Sequence, residues 1–195
     1  DYGIPFDVTA SSLARFPDVL EITEAEEDDE MLHLFLMDAL ASALDQFIEN
    51  RTQEGMRLQQ DLLSKMDEMS EYVSFLEKRS PMIVEEYRDK LHTKVAELLG
   101  DTSMDENRIA AEVVIYADKV CIDEEMVRLR SHVDETRHML SDAEEVGRKL
   151  DFIAQEMNRE ANTILSKSTD VEIAGVGISL KTLIEKVREQ IQNLE

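Results

Sequence analysis

Apolar positions recur along the chain at steps of three and four, the period of helices that bury one face. From Met31 to about Lys78 the row runs through Met37, Leu40, Ala43/Leu44, Phe47, Leu58, Leu62, Met66, Met69, Val73 and Leu76. At about 1.5 Å per residue such a rod spans roughly 70 Å and needs a partner along its length. Arg51 and Glu54 fall on seam positions just before Gly55, and read either as a buried ion pair or as a break between two helices. Ser80 followed by Pro81 reads as a helix start, with Ser as cap and Pro in the first turn. Ile83, Val84, Tyr87, Leu91, Val95 and Leu98 then hold one face as far as Gly100, a helix stop. Residues 31–99 are thus expected to form a long protruding helical hairpin. Its methionines read as gap fillers in packing.

Further helices are expected at about Asp105–Lys119, and from Asp123 to about Leu140. Ser141 with Glu144 has the spacing of a capping box, opening a helix over Glu145–Ser168. TDVEIAGVG, beginning at Thr169, breaks the pattern, and a closing helix is expected over Ile178–Leu194. The fold class is all-α, in three parts: a connector at 1–25 with at most a short helix at Ala10–Phe16, the hairpin at 26–100, and a carboxy-terminal helical body at 101–195.

Composition supports this picture, with 6 Gly and 3 Pro in 195 residues and no Pro after Pro81. One Cys allows no disulfide framework within the chain, which fits a reducing cytosol and a cytoplasmic location. There is no uninterrupted apolar run of about 18 residues, so no membrane partner is expected. The chain opens on Asp1 without the pattern of a domain start and reads as a fragment. A net charge of −23 argues against generic nucleic-acid binding. The acidity is uneven, however: residues 121–195 hold 10 Lys and Arg against 16 Asp and Glu, which leaves −17 of the −23 on residues 1–120. The acidic run EAEEDDE at 24–30 reads as a solvated helix start.

Chemistry concentrates in two blocks. In EEMVRLRSH, Glu125, Arg128 and His132 lie at i, i+3 and i+7 on one helix face; they read as a salt bridge with a surface His, or as a metal, phosphate and proton site. In EVGRKLDFIAQEMNREANTILSKS, Leu150, Ile153, Ala154, Met157, Ala161, Ile164 and Leu165 share a core face. The opposite face carries Arg148, Asp151, Gln155, Arg159, Asn162 and Ser166, flanked by Glu156, Glu160, Thr163 and Lys167. Guanidinium groups, amides, hydroxyls and carboxylates on one stripe form the mixture that holds phosphates and a metal ion. Phe152 sits amid this stripe, where an aromatic needs a partner subunit or a ring to stack on. No Walker loop, dinucleotide fingerprint, HExxH or zinc-type Cys/His cluster is present. His33, His92 and His138 are assigned to surfaces.

The run GRKLDFIAQEMNREANTILSKS together with IEKVREQIQNLE at the end of the chain resembles the carboxy-terminal signature of the YicC family of bacterial endoribonucleases. EEMVRLRSH and FIENRTQEGMRL at Phe47–Leu58 also resemble that family and stand in its order, so the likeness runs from about Ser12 onward. The resemblance implies a divalent-metal-dependent endoribonuclease that cleaves single-stranded RNA in RNA turnover, assembles as an oligomer and works with other RNA-decay proteins. It also implies an amino-terminal domain, taken as missing here, and an Asp where this chain has Cys121. On this reading the catalytic residues are Glu125, Arg128, His132 and Glu156, and the RNA-binding residues are Arg148, Gln155, Arg159, Asn162, Ser166 and Lys167. Mn²⁺ or Mg²⁺, which prefer oxygen ligands, would be held by Glu125, Asp151, Glu156 and Glu160. The alternative is a non-catalytic helical oligomerisation protein or RNA-regulatory adaptor. The two readings part on whether Glu125, His132, Glu156 and Arg159 converge on one cleft.

Overall fold

The computed structural model describes residues 3, 8–21, 29–99, 106–141 and 147–192. They form six helices: α1 (Ala10–Leu13), α2 (Asp29–Leu99), α3 (Glu106–Val120), α4 (Asp123–Ser141), α5 (Gly147–Lys167) and α6 (Val171–Ile191). The all-α class and the arrangement of a long helix with a helical body match the sequence reading. No strand occurs among the described residues. Gly100, Glu144 and most of the acidic run at 24–30 lie outside them, so the expected helix stop and the capping box do too.

The chain divides into two units, residues 1–50 and 51–195. In the first, α1 is capped by Thr9, whose hydroxyl accepts from the Ser12 N–H while the Ser12 side chain accepts from the Thr9 N–H. Every residue from 29 to 50 is exposed, including Met31, Leu32, Leu34, Phe35, Leu36, Met37, Leu40, Leu44, Phe47 and Ile48. An 18-residue window of α2 reaches a mean hydropathy of 1.3 with none of it buried, enough by length and composition alone to cross a membrane.

The second unit has one core. On α2 the buried positions are Leu62, Met66, Met69, Val73, Leu76, Ser80 and Ile83, an unbroken alternation of four and three. This corrects the hairpin, since Pro81 lies inside α2 and no turn occurs at Ser80. Pro81 leaves the Glu77 carbonyl without its helical donor, a loss of about 3 kcal/mol or more in a buried helix interior. Here Glu77 and Pro81 are both exposed, so water can satisfy that carbonyl, while Leu76 and Ile83 are anchored in the same core on either side. Arg79 reinforces the join by pairing with Glu86 across the proline. The break considered at Arg51, Glu54 and Gly55 is likewise absent, all three being helical.

Opposing this stripe are Met126, Leu129, Val133 and Leu140 of α4, Leu150, Ile153, Met157 and Ile164 of α5, and Ile173, Leu180, Ile184 and Val187 of α6. Polar contacts fix the directions. Gln59 donates to the Leu140 carbonyl, Arg137 pairs with Asp67 at 2.7 Å and Arg130 with Glu77 at 2.8 Å, so α2 and α4 run antiparallel. Tyr87 of α2 stacks on Tyr116 of α3 at 3.7 Å between ring centres.

The closing helix starts seven residues earlier than expected, at Val171. Asp170 caps it, accepting from the Glu172 N–H at 3.1 Å and the Ile173 N–H at 2.9 Å. Gly175 and Gly177 are therefore helical residues. Gly177 is required by proximity: a Cβ there would lie 2.7 Å from Cδ2 and 2.8 Å from Cγ of Leu165 on α5.

Candidate active site

Helices α4 and α5 lie against each other antiparallel, because Glu135 pairs with Lys149, Arg128 with Glu160 and Glu125 with Lys167. Each helix buries its apolar stripe in the common core, and the polar flanks beside those stripes face one another across a cleft of about 330 Å³. From α4 come Glu125, Arg128, Ser131 and His132; from α5 come Glu156, Arg159, Glu160 and Thr163. The four residues that decide between the catalytic and adaptor readings, Glu125, His132, Glu156 and Arg159, therefore share one cleft.

Two carboxylates sit at its base. Glu125 is only 5% exposed; its Oε1 accepts from Lys167 Nζ at 2.9 Å, while its buried Oε2 has no hydrogen-bond partner. A buried, unpartnered carboxylate oxygen is costly, and such a group calls for a proton, a cation or a substrate donor. The Glu125 carboxylate holds the Lys167 ammonium above its ordinary pKa. Glu160 is equally buried and lies 3.6 Å from Nε of Arg128, whose Nη2 donates to Glu124 at 2.8 Å. Higher on the walls, Arg159 is mostly exposed and only loosely tied to Glu156, at 3.9 Å. His132 is half-buried.

The other residues of the polar stripe stand elsewhere. Arg148, Phe152, Gln155, Arg159, Asn162 and Ser166 form the exposed crest of α5, and of these only Arg159 also lines the cleft. Asp151 turns toward α6, where Arg188 Nε donates to it at 3.0 Å and Gln155 at 2.7 Å; Arg188 holds its carboxyl below the ordinary range. It is not brought to the Glu125–Glu160 pair. Lys167 lies behind Glu125 as its ion-pair partner. Ser131 is a cleft residue that the i, i+3, i+7 reading of α4 passes over, although it is next to His132. Cys121 is exposed and does not line the cleft.

Oxygen donors at Glu125, Glu156 and Glu160 suit Mg²⁺ or Mn²⁺ in kind. Among the described residues no three His, Cys, Asp or Glu are gathered at metal-holding distance. The set fits an ion that keeps most of its waters and takes one or two carboxylates, the usual habit of Mg²⁺.

Every residue of the cleft falls within 76–195, the stretch that matches the family description "Endoribonuclease YicC-like, C-terminal". The chain belongs to the YicC-like endoribonuclease family. Residues 2–60 match that family's amino-terminal region. The connector expected at 1–25 lies, apart from its first residue, within this matched stretch. A "Probable endoribonuclease YicC" of Clostridioides difficile is 44% identical over 195 residues, 100% of this chain and 67% of that protein. Another of the same name, from Haemophilus influenzae, is 33% identical over 189 residues, 97% of this chain and 64% of that protein. The chain thus spans about two thirds of the length of these YicC relatives.

Proposed function

We propose that the α4–α5 cleft cleaves RNA phosphodiester bonds, as the carboxy-terminal part of an endoribonuclease acting on single-stranded RNA. The single observation that carries this reading is the buried, unpartnered Oε2 of Glu125, a residue that lines a cleft with two guanidinium groups and an imidazole. Arg159 and Arg128 bind the phosphate oxygens and stabilise the charge that develops on them. Glu125 accepts the proton of the attacking oxygen as that oxygen bonds to phosphorus. The bond from phosphorus to the leaving oxygen breaks, and the imidazolium of His132 returns a proton to that oxygen. A divalent cation held by one or two of Glu125, Glu156 and Glu160 would supply water activation and charge neutralisation.

The test is incubation of the full-length protein with labelled single-stranded RNA in Mn²⁺, Mg²⁺ or chelator. Cleavage that produces internal fragments supports the reading; intact RNA under all conditions refutes it. Arg159→Lys keeps the charge but loses bidentate phosphate contact, and is expected to lower kcat/KM by about tenfold, a loss of about 1.4 kcal/mol. A wild-type value would remove Arg159 from the phosphate site.

We also propose that the exposed apolar residues of Met31–Ile48 are covered by self-association. A membrane is a poorer partner, because Asp38 and Asp45 interrupt the stretch and each acid at a bilayer centre costs about 2.5–3.5 kcal/mol. Sedimentation of the full-length protein at micromolar concentration is expected to show an oligomer, and a lone monomer would refute this.

A further inference from the structure

Phe152 is 61% exposed on the crest of α5, and it is the only Phe or Tyr in α4, α5 or α6. Its surroundings set it apart from the exposed apolar residues of Met31–Ile48. One helical turn away on either side stand Arg148, Lys149, Gln155 and Glu156, and all but Glu156, which is half-buried, are exposed. The exposed apolar residues of Met31–Ile48, by contrast, adjoin one another, as a protein interface requires. Among the described residues of α5, the ring's neighbours one turn away carry guanidinium, ammonium, amide and carboxylate groups, and none of them is an apolar residue with which to complete a protein contact. It does suit a nucleobase, which offers a flat face to the ring and donors and acceptors at its edge.

The position is continuous with the cleft. Arg159, seven residues on and about 10 Å along the helix, belongs to the same exposed crest and also forms a wall of the cleft. Arg148 stands one turn before the ring. The crest therefore sets an aromatic face between two guanidinium groups, a spacing that places phosphates on either side of a stacked base. A base within a duplex is already stacked and cannot use the ring.

We infer that Phe152 is a specificity residue that stacks an unpaired base of the RNA beside the cleft and so selects single-stranded over duplex substrate. This rests on the cleft being the site of RNA cleavage. The full-length protein is titrated with a single-stranded RNA carrying 2-aminopurine, with its duplex, and with an otherwise identical strand lacking bases near the cut. Stacking should quench 2-aminopurine in the single strand. Phe152→Leu is expected to remove the quench and weaken single-strand binding about 5- to 150-fold, and Phe152→Tyr is expected to restore both. On the strand lacking bases, wild type and Phe152→Leu should bind alike.

If Phe152→Leu quenches and binds as wild type does, the inference is overturned. It is equally overturned if the variant changes oligomer size without changing the preference for single strands, since a second copy would then be what covers the ring. A wild-type protein that cleaves RNA while Phe152→Leu behaves identically removes this inference alone. One that quenches in a Phe152-dependent way but never cleaves removes the catalytic reading and leaves the stacking site.

Discussion

Glu125→Gln is expected to lower kcat for RNA cleavage by about 10²- to 10⁴-fold, the range for loss of a positioned acid or base, with much less effect on KM. The carboxylate does not itself bind phosphate, so substrate affinity rests mainly with the arginines. An amide has nearly the same shape but neither accepts a proton nor carries the charge that pairs with Lys167 at 2.9 Å. Both roles of Glu125 disappear together while the cleft keeps its form. Far-UV circular dichroism and sedimentation should match wild type. A correctly folded Glu125→Gln protein that cleaves at the wild-type rate would remove Glu125 from the reaction and with it the observation on which the site rests.

The largest stability effect is expected at Asp170, where Asp170→Ala should cost about 2–3 kcal/mol by loss of a cap and a charged hydrogen bond. Its side chain is 15% exposed and does two things at once. It caps α6 through the Glu172 and Ile173 N–H groups, and it takes Nη2 of Arg79 at 2.7 Å, tying the start of α6 to α2 beside Pro81. Arg79 holds the Asp170 carboxyl below its ordinary value of 3.8, helped by the two backbone donors. The folded pKa is depressed, so this contribution is complete above about pH 4 and is lost as pH falls through the folded value. Asp170→Asn removes that charge at every pH, so its deficit relative to wild type should shrink on acidification below pH 4. Chemical denaturation at pH 7 and at lower pH measures both; equal stability of Asp170→Ala and wild type at pH 7 would refute the assignment.

The heptad-like stripe on α2 shows where local rules misled. Ser80–Pro81 is a sound helix start when read alone, yet Leu76, Ser80 and Ile83 continue the alternation of Leu62, Met66, Met69 and Val73 without a step out of place. That continuity was present in the sequence and outweighs one proline on the exposed side. At TDVEIAGVG, taken as a break in the pattern, Asp170 caps a helix that runs through both glycines. Gly177 is there because Leu165 comes too close for any side chain, a fact about two helices rather than one.

Periodicity by itself determined the helical class, the approximate extents of α3, α4 and α5, their core faces, and the two polar blocks that supply the cleft. It does so because burial of one face is a property of a single helix. What only the tertiary structure decided is the register between helices. Antiparallel packing of α4 on α5 selects the flank with Glu156, Arg159, Glu160 and Thr163 for the cleft, while the packing of α6 on α5 gives Asp151 to Arg188, and Gln155, Asn162 and Ser166 are left on the open crest. It also sets Lys167 behind Glu125 and strips the other carboxylate oxygen of partners. Spacing along a chain records which residues share a helix face; how far one helix slides along another is set by side chains packing across the interface, between residues far apart in sequence.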